Sequence, residues 1–454
     1  INPAEPKDIV GYVREATPRE VEQALESAVN NAPIWFATPP AERAAILHRA
    51  AVLMESQMQQ LIGILVREAG KTFSNAIAEV REAVDFLHYY AGQVRDDFAN
   101  ETHRPLGPVV CISPWNFPLA IFTGQIAAAL AAGNSVLAKP AEQTPLIAAQ
   151  GIAILLEAGV PPGVVQLLPG QGETVGAQLT GDDRVRGVMF TGSTEVATLL
   201  QRNIASRLDA QGRPIPLIAE TGGMNAMIVD SSALTEQVVI DVLASAFDSA
   251  GQRCSALRVL CLQDEIADHT LKMLRGAMAE CRMGNPGRLT TDIGPVIDSE
   301  AKANIERHIQ TMRSKGRQVF QAVRENSEDT REWQSGTFVA PTLIELDDFA
   351  ELQKEVFGPV LHVVRYNRNQ LPALIEQINA SGYGLTLGVH TRIDETIAQV
   401  TGSAHVGNLY VNRNMVGAVV GVQPFGGEGL SGTGPKAGGP LYLYRLLANR
   451  PESA

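Results

Sequence analysis

Three side chains stand in glycine- or proline-flanked segments where they could take part in catalysis, and the first is a cysteine. Cys254 lies in GQRCSA, directly after a helical pattern, and its thiolate would be a nucleophile. The neighbouring Arg253 is expected to favour the thiolate form. A free cysteine is more often a small buried hydrophobic residue, so both interpretations stay open at this point.

The other two are a carboxylate and an amide that could assist such a nucleophile. Glu220 follows the apolar run PLIA and precedes two glycines, so a strand end would present its carboxylate to a crevice. The segment ETGG could equally be only a turn. Asn116 lies in SPWNFP, where prolines on both sides restrict the backbone. Its amide could donate to an oxyanion, or it could cap the helix that follows.

Two glycine-bearing segments are candidates for binding a dinucleotide. They are PGQGETVG at 169–176 and FTGS at 190–193, each between a predicted strand and a predicted helix. The first holds Gly172 and Gly176 but departs from the strict G-x-G-x-x-G spacing. A plain turn between strand and helix is therefore equally compatible with it.

Lys139 and Glu142 add a charged pair to this candidate site. They lie in AKPAEQTP after the strand-like run SVLA, and an acidic group near a strand's carboxyl end can bind ribose hydroxyls. A charged turn is the alternative. Oxidation of an aldehyde to an acid with a nicotinamide requires a nucleophile, an oxyanion donor, a hydride acceptor and a base. The chain offers candidates for the nucleophile, the oxyanion donor and the base, and candidate binding segments for the hydride acceptor.

Helices and parallel strands must position these residues. Apolar residues at helical spacing predict packing helices over Ala41–Ala69 and Phe73–Asp97. From Gly107 short β-rich runs alternate with helices near Leu119–Ala132 and Pro145–Ala158, which predicts parallel βαβ units. The predicted strands of this part are VVCI, SVLA, VVQLL and GVMF.

A second series of the same kind follows Glu220. It predicts helices over Leu234–Ala250 and Ile266–Cys281, and a second α/β domain. The span Pro424–Pro440 holds too many glycines for a regular element and is predicted to be an ordered loop. The strands of the second series are predicted at MIV, RVLCL, VAPTL, LHVV, LTLGV and NLYV.

Length and charge exclude several classes of function. With 454 residues, two domains are expected. A net charge of −12 disfavours nucleic acid and anionic membranes as partners, and the most apolar stretch is too interrupted to span a bilayer. The four cysteines form no disulfide or zinc pattern, so no metal and a cytoplasmic location are expected. Because the chain begins at Ile1 without an initiator methionine, it is expected to be part of something longer.

Seven segments, in this order, closely resemble the aldehyde dehydrogenase superfamily: SPWNFP, AKPAEQTP, FTGSTEV, ETGGMN, GQRCSA, KEVFGPV and QPFGG. The resemblance implies an α/β fold with a Rossmann-like parallel-sheet NAD-binding domain over 1–219 and a catalytic α/β domain over 220–413. A substrate-anchoring, glycine-rich segment would occupy 414–454. An active-site tunnel would lie between the two domains.

The resemblance also implies roles. Cys254 would be the nucleophile, Asn116 with the Cys254 N–H the oxyanion hole, and Glu220 the general base, acting through a thiohemiacetal and a thioester. The carboxylate of Glu142 would favour NAD over NADP by repelling a 2′-phosphate. The residues expected to bind NAD are Ile112, Ser113, Pro114, Trp115, Lys139, Glu142, Gly172, Gly176, Gly192, Ser193, Glu355 and Phe357.

Within the family, DFLHYYA, RCSA and GTGPKAGGPLYLYRLL are similar to the L-glutamate-γ-semialdehyde dehydrogenase branch. That branch implies oxidation of the semialdehyde to glutamate in proline catabolism, with Arg253, Ser255, Gly417 and Ala418 binding the amino acid end of the substrate. In its bifunctional members an FAD-dependent proline dehydrogenase part belongs to the same longer chain, and a homo-oligomer is possible. The alternatives are another semialdehyde dehydrogenase, for example for succinate semialdehyde, or a non-catalytic protein that retains the fold.

Overall fold

The computed structural model of the protein describes residues 1–209, 211–323, 333 and 335–451. Its α-helices are α1 (Pro18–Ala37), α2 (Pro40–Ser56), α3 (Met58–Glu68), α4 (Phe73–Asp97), α5 (Ala120–Ala131), α6 (Pro145–Glu157), α7 (Ala177–Gly181), α8 (Thr194–Ile204), α9 (Thr235–Phe247), α10 (Asp264–Glu280), α11 (Ser299–Ser314), α12 (Leu371–Ala380) and α13 (Asp394–Ser403).

Its strands are β1 (Arg104–Pro105), β2 (Pro108–Ile112), β3 (Ser135–Lys139), β4 (Val165–Leu167), β5 (Gly187–Thr191), β6 (Leu217–Glu220), β7 (Ala226–Val229), β8 (Val259–Gln263), β9 (Val319–Gln321), β10 (Thr342–Leu346), β11 (Val360–Tyr366), β12 (Tyr383–Gly384), β13 (Thr386–His390), β14 (Asn408–Val411), β15 (Glu428–Gly429) and β16 (Leu447–Asn449).

The first large sheet has five parallel strands in the order β4-β3-β2-β5-β6. Its central strands are apolar and buried, as expected when helices cover both faces of a parallel sheet. The chain first builds outward from β2 to β4 and then returns to place β5 on the other side of β2. Ligands bind at such a switch in strand order, beyond the carboxyl ends of the strands.

The second large sheet has seven strands in the order β14-β13-β7-β8-β11-β10-β9, and only β9 runs antiparallel to its neighbour. Each large sheet lies in its own hydrophobic core. The predicted boundary between residues 219 and 220 falls inside β6, and the division into three parts stays a prediction.

Two buried glutamates from the N-terminal helices hold the helices of the first sheet. The Glu79 carboxylate accepts hydrogen bonds from the backbone N–H groups of Leu119 and Ala120 at the start of α5. Glu68 does the same for Leu146 and Ile147 at the start of α6. The first N–H groups of a helix lack partners within it and favour negative charge, so these carboxylates fix where α5 and α6 begin.

Most predicted helices and strands lie within a few residues of their predicted positions, and Phe73–Asp97 is confirmed as α4. The single helix predicted over 41–69 is wrong, because Gln57 has φ −97° and ψ 11° and separates α2 from α3. The strand predicted at VAPTL begins only at Thr342, since the preceding Pro341 has no N–H for a ladder. Among the described residues, no helix is long and apolar enough to cross a membrane.

The helix predicted over Leu234–Ala250 ends early, and the reason matters for the site. α9 stops at Phe247, and the short turn that follows holds Ser249 at φ 55° and Ala250 at φ 54°. Residues other than glycine rarely adopt this left-handed conformation, and it costs of the order of 1–3 kcal/mol where it occurs. The sharp change of direction carries the chain from the helix into the segment that contains Cys254.

Candidate active site

A cavity of about 590 Å³ lies at the carboxyl edge of the first sheet. Its walls come from the residues that follow β2, β3 and β5 and from the segment that precedes β11. All of the residues predicted to bind the dinucleotide line it: Ile112, Ser113, Pro114, Trp115, Lys139, Glu142, Gly172, Gly176, Gly192, Ser193, Glu355 and Phe357. Asn116 and Cys254 line the same cavity. We call it the cofactor cavity.

Two acidic groups of the cofactor cavity, Glu142 and Glu355, have cationic partners. The Lys139 ammonium group is buried and lies 2.8 Å from the carboxylate of Glu142, whose side chain is 42% exposed. The Glu355 carboxylate receives the guanidinium of Arg258 at 2.8 Å. Sequence reasoning predicted Glu142 and Glu355 but missed Arg258, because an arginine directly before the apolar strand β8 gives no local sign of its partner.

The remaining walls of this cavity fit a dinucleotide. Ser193 caps α8 by accepting the Val196 N–H, so the helix begins at the cavity with its positive end. Val196 and Leu199 are 43% and 55% exposed although they are apolar, and both line the cavity. They offer an apolar surface on which the flat ring of a nucleotide base can pack. The buried hydroxyl of Ser113 has no hydrogen-bond partner among the described residues and is available to a ligand.

Cys254 lies in the loop between the turn at 248–251 and β8, and its neighbours are fixed by side-chain amides. The Asn116 amide donates to the carbonyl of Gln252 at 3.1 Å. The buried amide of Asn225 donates to the carbonyls of Cys254 at 2.6 Å and of Ala256 at 2.9 Å. Asn225, which ends the segment ETGGMN, was not singled out from the sequence. It joins the Glu220 segment to the loop of the predicted nucleophile.

The expectation that Arg253 favours the Cys254 thiolate is wrong. Burial, together with the negative charges of Glu355, Glu220 and Glu82, raises the pKa of the Cys254 thiol to about 12. The guanidinium of Arg253 instead forms an ion pair with Asp248 at 2.7 Å and donates to Asn75. Cys254 is therefore a thiol at neutral pH until another group removes its proton.

Glu220 lies at the end of β6, with its carboxyl group against the glycine-rich loop. One oxygen accepts the Gly427 N–H at 2.9 Å, and the other is buried with no partner among the described residues. A side chain at Gly426 or Gly432 would lie 2.7 Å from the carboxyl oxygens, so only glycine leaves room for Glu220 at these positions. Burial raises the pKa of Glu220 to about 8. It can therefore act as a base near neutral pH, and more effectively above it.

A second, smaller cavity of about 100 Å³ lies on the other side of Cys254. All of the predicted substrate-binding residues line it, together with two of the three predicted catalytic residues: Arg253, Ser255, Gly417, Ala418, Cys254 and Glu220. We call it the substrate cavity. Cys254 lines both cavities, as do Ile121, Thr191 and Thr221, so the two cavities adjoin at these residues.

Glu82 lines the substrate cavity, and sequence reasoning missed this residue. It lies on α4 with Phe86 and Tyr90, which follow it at four-residue intervals and line the same cavity. Burial and the nearby negative charge of Glu79 raise the pKa of Glu82 to about 7. The helical spacing from Glu82 to the aromatic residues was the available signal, since side chains four apart share one face of a helix.

Comparisons with known proteins indicate one family for the chain. A model of the aldehyde dehydrogenase family matches residues 1–448. The chain is 99% identical over its whole length to the bifunctional protein PutA of Escherichia coli strain K12, of which it covers 34%. It is 37% identical over 98% of its length to the 1-pyrroline-5-carboxylate dehydrogenase of Bacillus cereus strain B4264, of which it covers 87%.

A solved structure has the same fold. The crystal structure of 1-pyrroline-5-carboxylate dehydrogenase from Thermus with bound NAD matches with a TM-score of 0.90 at 37% identity, covering 98% of this chain and 88% of the other. The predicted α/β fold, with a Rossmann-like parallel sheet and a second α/β unit, is confirmed. The chain spans only 34–35% of the length of the bifunctional relatives that it matches at high identity.

Proposed function

The chain belongs to the aldehyde dehydrogenase family, and on that premise we propose that it oxidises L-glutamate γ-semialdehyde to L-glutamate with NAD. The observation that carries the proposal is the position of Cys254, whose side chain lies where the cofactor cavity and the substrate cavity meet. The 1-pyrroline-5-carboxylate dehydrogenases to which the chain is similar support the substrate, and the NAD-bound relative supports the cofactor.

The first half of the reaction takes place at the sulfur. Cys254 gives up its proton to solvent, and the thiolate adds to the aldehyde carbon to give a thiohemiacetal. The Asn116 amide and the Cys254 N–H hold the oxygen as it becomes negative. NAD, when bound, would supply the hydride acceptor, and loss of hydride from the thiohemiacetal carbon would leave a thioester on Cys254.

The second half of the reaction releases the acid. Glu220, as a carboxylate, takes a proton from water, and the hydroxide formed attacks the thioester carbon. The same two donors hold the oxyanion again, and its collapse expels the Cys254 sulfur and forms the product carboxylate. Glycines at 426 and 432 leave room for the Glu220 carboxyl group, and its oxygen without a partner among the described residues can accept from the water.

The charges of the substrate cavity suit an amino acid. Arg253, Ser255, Gly417 and Ala418 line the cavity, and the Arg253 guanidinium, the Ser255 hydroxyl and the backbone N–H groups of Gly417 and Ala418 can bind an α-carboxylate. Glu82 lies in the same wall and can bind an α-ammonium group, which succinate semialdehyde lacks. This favours glutamate semialdehyde over the other candidate substrate.

The wider context is proposed in the same way. We infer that the chain works as part of a bifunctional protein, with an FAD-dependent proline dehydrogenase part supplying its substrate, because its bifunctional relatives are about three times longer. Cys111, Cys254 and Cys261 form no disulfide among the described residues, which is compatible with a reducing cytoplasm. The net charge of −12 still argues against nucleic acid as a partner of this segment.

The test is the appearance of NADH with purified protein, NAD and pyrroline-5-carboxylate, the cyclic form of the substrate. We expect rapid formation that Cys254→Ala abolishes and that succinate semialdehyde at equal concentration supports much less well. Equal rates with both substrates would reject the assigned substrate and keep the dehydrogenase. Full activity in Cys254→Ala would reject the assigned nucleophile.

A further inference from the structure

Arg258 at the start of β8 is a fully buried cation whose bonding connects the two cavities. Its guanidinium carries five N–H groups, and five hydrogen bonds are present. Nε and one terminal nitrogen donate to the same oxygen of Glu355 at 3.1 and 2.8 Å. The others reach the backbone carbonyls of Gly251 at 2.7 Å, Gly358 at 3.4 Å and Arg253 at 2.9 Å.

The carbonyl of Arg253 belongs to the same peptide unit as the N–H of Cys254. Because a peptide is planar and trans, the direction of its C=O fixes the opposite direction of its N–H. The Ala256 N–H also donates to this carbonyl at 3.1 Å. Two donors therefore hold the plane of the peptide that contributes one half of the oxyanion hole, and the cationic donor also polarises it.

The other end of the same guanidinium lies at the cofactor cavity. Glu355 lines that cavity, and the Arg258 guanidinium also lies over the ring of Phe357, 5.0 Å from its centroid. A displacement of Glu355 by a ligand would thus be transmitted through one rigid, planar group to the peptide at Cys254.

We propose that Arg258 is a positioning residue that orients the Cys254 N–H toward the substrate oxyanion and ties that orientation to Glu355 in the cofactor cavity. The inference rests on the proposed role of Cys254 as the nucleophile, and it does not depend on the identity of the aldehyde. Arg258 touches neither the substrate cavity nor the sulfur. It acts through the Arg253–Cys254 peptide.

Two reactions of the same thiol separate this role from general support of the fold. In acylation by p-nitrophenyl acetate, sulfur adds to the ester carbonyl, an oxyanion forms, and its collapse expels nitrophenolate. In alkylation by iodoacetamide, sulfur displaces iodide from a saturated carbon, and no oxyanion forms. Only the first reaction needs an oriented Cys254 N–H.

The experiment measures both rates in wild type, Arg258→Lys and Arg258→Met. Removing one oxyanion donor typically lowers a rate by about 10²–10³-fold, so misorienting one is expected to slow acylation by about 10–100-fold. Alkylation should change by less than about 3-fold, because sulfur attack on a saturated carbon makes no use of the oxyanion donors. Lysine should retain more acylation than methionine, since it keeps a cationic donor.

Two further variants make the result decisive if Arg258→Met fails to fold. Asn116→Ala removes the other oxyanion donor and should give the same pattern as Arg258→Lys. Arg43→Lys is the matched control, because Arg43 is also buried and donates to the carbonyls of Ala131 and Phe36 far from either cavity. Both of its rates should stay near those of wild type.

Unchanged acylation in Arg258→Lys, or an equal fall of both rates, would overturn the inference. The proposed function fails in a different way. If wild type forms no NADH with pyrroline-5-carboxylate while the difference between acylation and alkylation holds, the substrate is rejected and the role of Arg258 is supported.

Discussion

The two cavities that meet at Cys254 differ in how their charged groups are compensated. In the cofactor cavity Lys139 pairs with Glu142 and Arg258 with Glu355. In the substrate cavity Glu82 and Glu220 have pKa values raised to about 7 and 8, and Nε of Arg253 is buried without a partner among the described residues. Buried polar groups without partners are unfavourable unless a ligand or water satisfies them.

The difference indicates separate tasks for the two sides. The paired groups of the cofactor cavity can bind a ligand without changing their protonation. The substrate cavity holds groups that must change protonation or gain an ionic partner. Variants on one side should therefore alter a different kinetic constant from variants on the other. Cys254 is the position at which both sets of effects would combine.

The largest expected effect is that of Glu220→Gln. An amide keeps the size of the side chain but cannot accept a proton from water, so the thioester should form and then persist. We expect one NADH per active site in a rapid burst, followed by turnover about 10²–10⁴-fold slower than wild type. Rapid-mixing measurements of NADH absorbance check this.

A matched control for that variant is Glu68→Gln. Glu68 also has a pKa raised by burial, to about 7, but it caps α6 outside both cavities. Its variant should show no burst and should turn over within about 2-fold of wild type, the usual range away from a functional site. A burst in both variants would mean that buried carboxyl groups affect turnover without acting as the base.

The second largest expected effect tests whether the substrate cavity binds the amino acid end of the substrate. Glu82→Gln should raise KM for glutamate semialdehyde by about 10–100-fold, the range expected when a charge-assisted hydrogen bond of about 1.5–3 kcal/mol is lost. KM for NAD and the rate with succinate semialdehyde should change little, since neither involves an α-ammonium group. Steady-state kinetics with NAD and with each of the two aldehydes check this expectation. Equal losses of activity with both aldehydes would show that Glu82 does not recognise the substrate.

The third effect is a dependence on pH. Because burial raises the pKa of Glu220 to about 8, the carboxyl group is mostly protonated at pH 7 and becomes a base as the pH rises through 8. Where thioester hydrolysis limits turnover, kcat should increase about 10-fold between pH 7 and pH 9. The residual turnover of Glu220→Gln should lack this increase. A wild-type profile that is flat over the same range would argue that Glu220 is not the base.

The sequence predicts the residues of the two cavities to different extents and for different reasons. The cofactor cavity is built from segments such as SPWNFP and AKPAEQTP, and the carboxyl ends of neighbouring parallel strands necessarily meet. The strand pattern therefore pointed to Lys139, Glu142 and the glycine-bearing segments at 169–176 and 190–193, and the resemblance to a family supplied the remaining residues. The substrate cavity joins α4, the loop at Cys254 and the glycine-rich segment, which lie far apart along the chain. No local pattern relates them, and the resemblance to a family supplied what was predicted there.

Two residues show what the sequence did not predict. Glu82 lies in an amphipathic helix, where a carboxylate usually faces solvent, and only the packing of α4 shows that it faces a cavity. Arg253 is next to Cys254 in sequence, but its guanidinium turns to Asp248 and to Asn75 on α4. Adjacency in sequence predicted an electrostatic effect that tertiary contacts then removed.

The smallest expected effect lies on the cofactor side and completes the comparison. Glu142 is 42% exposed and already paired with Lys139, so Glu142→Gln should raise KM for NAD by only about 3–10-fold, since exposed charges interact weakly through water. The variant should also use NADP better relative to NAD, because a carboxylate that repels a 2′-phosphate has been removed. KM for glutamate semialdehyde should stay constant, the reverse of Glu82→Gln. If both KM values rose together, the two cavities would not be independent, and the coupling would have to pass through Cys254 and the peptide that Arg258 holds.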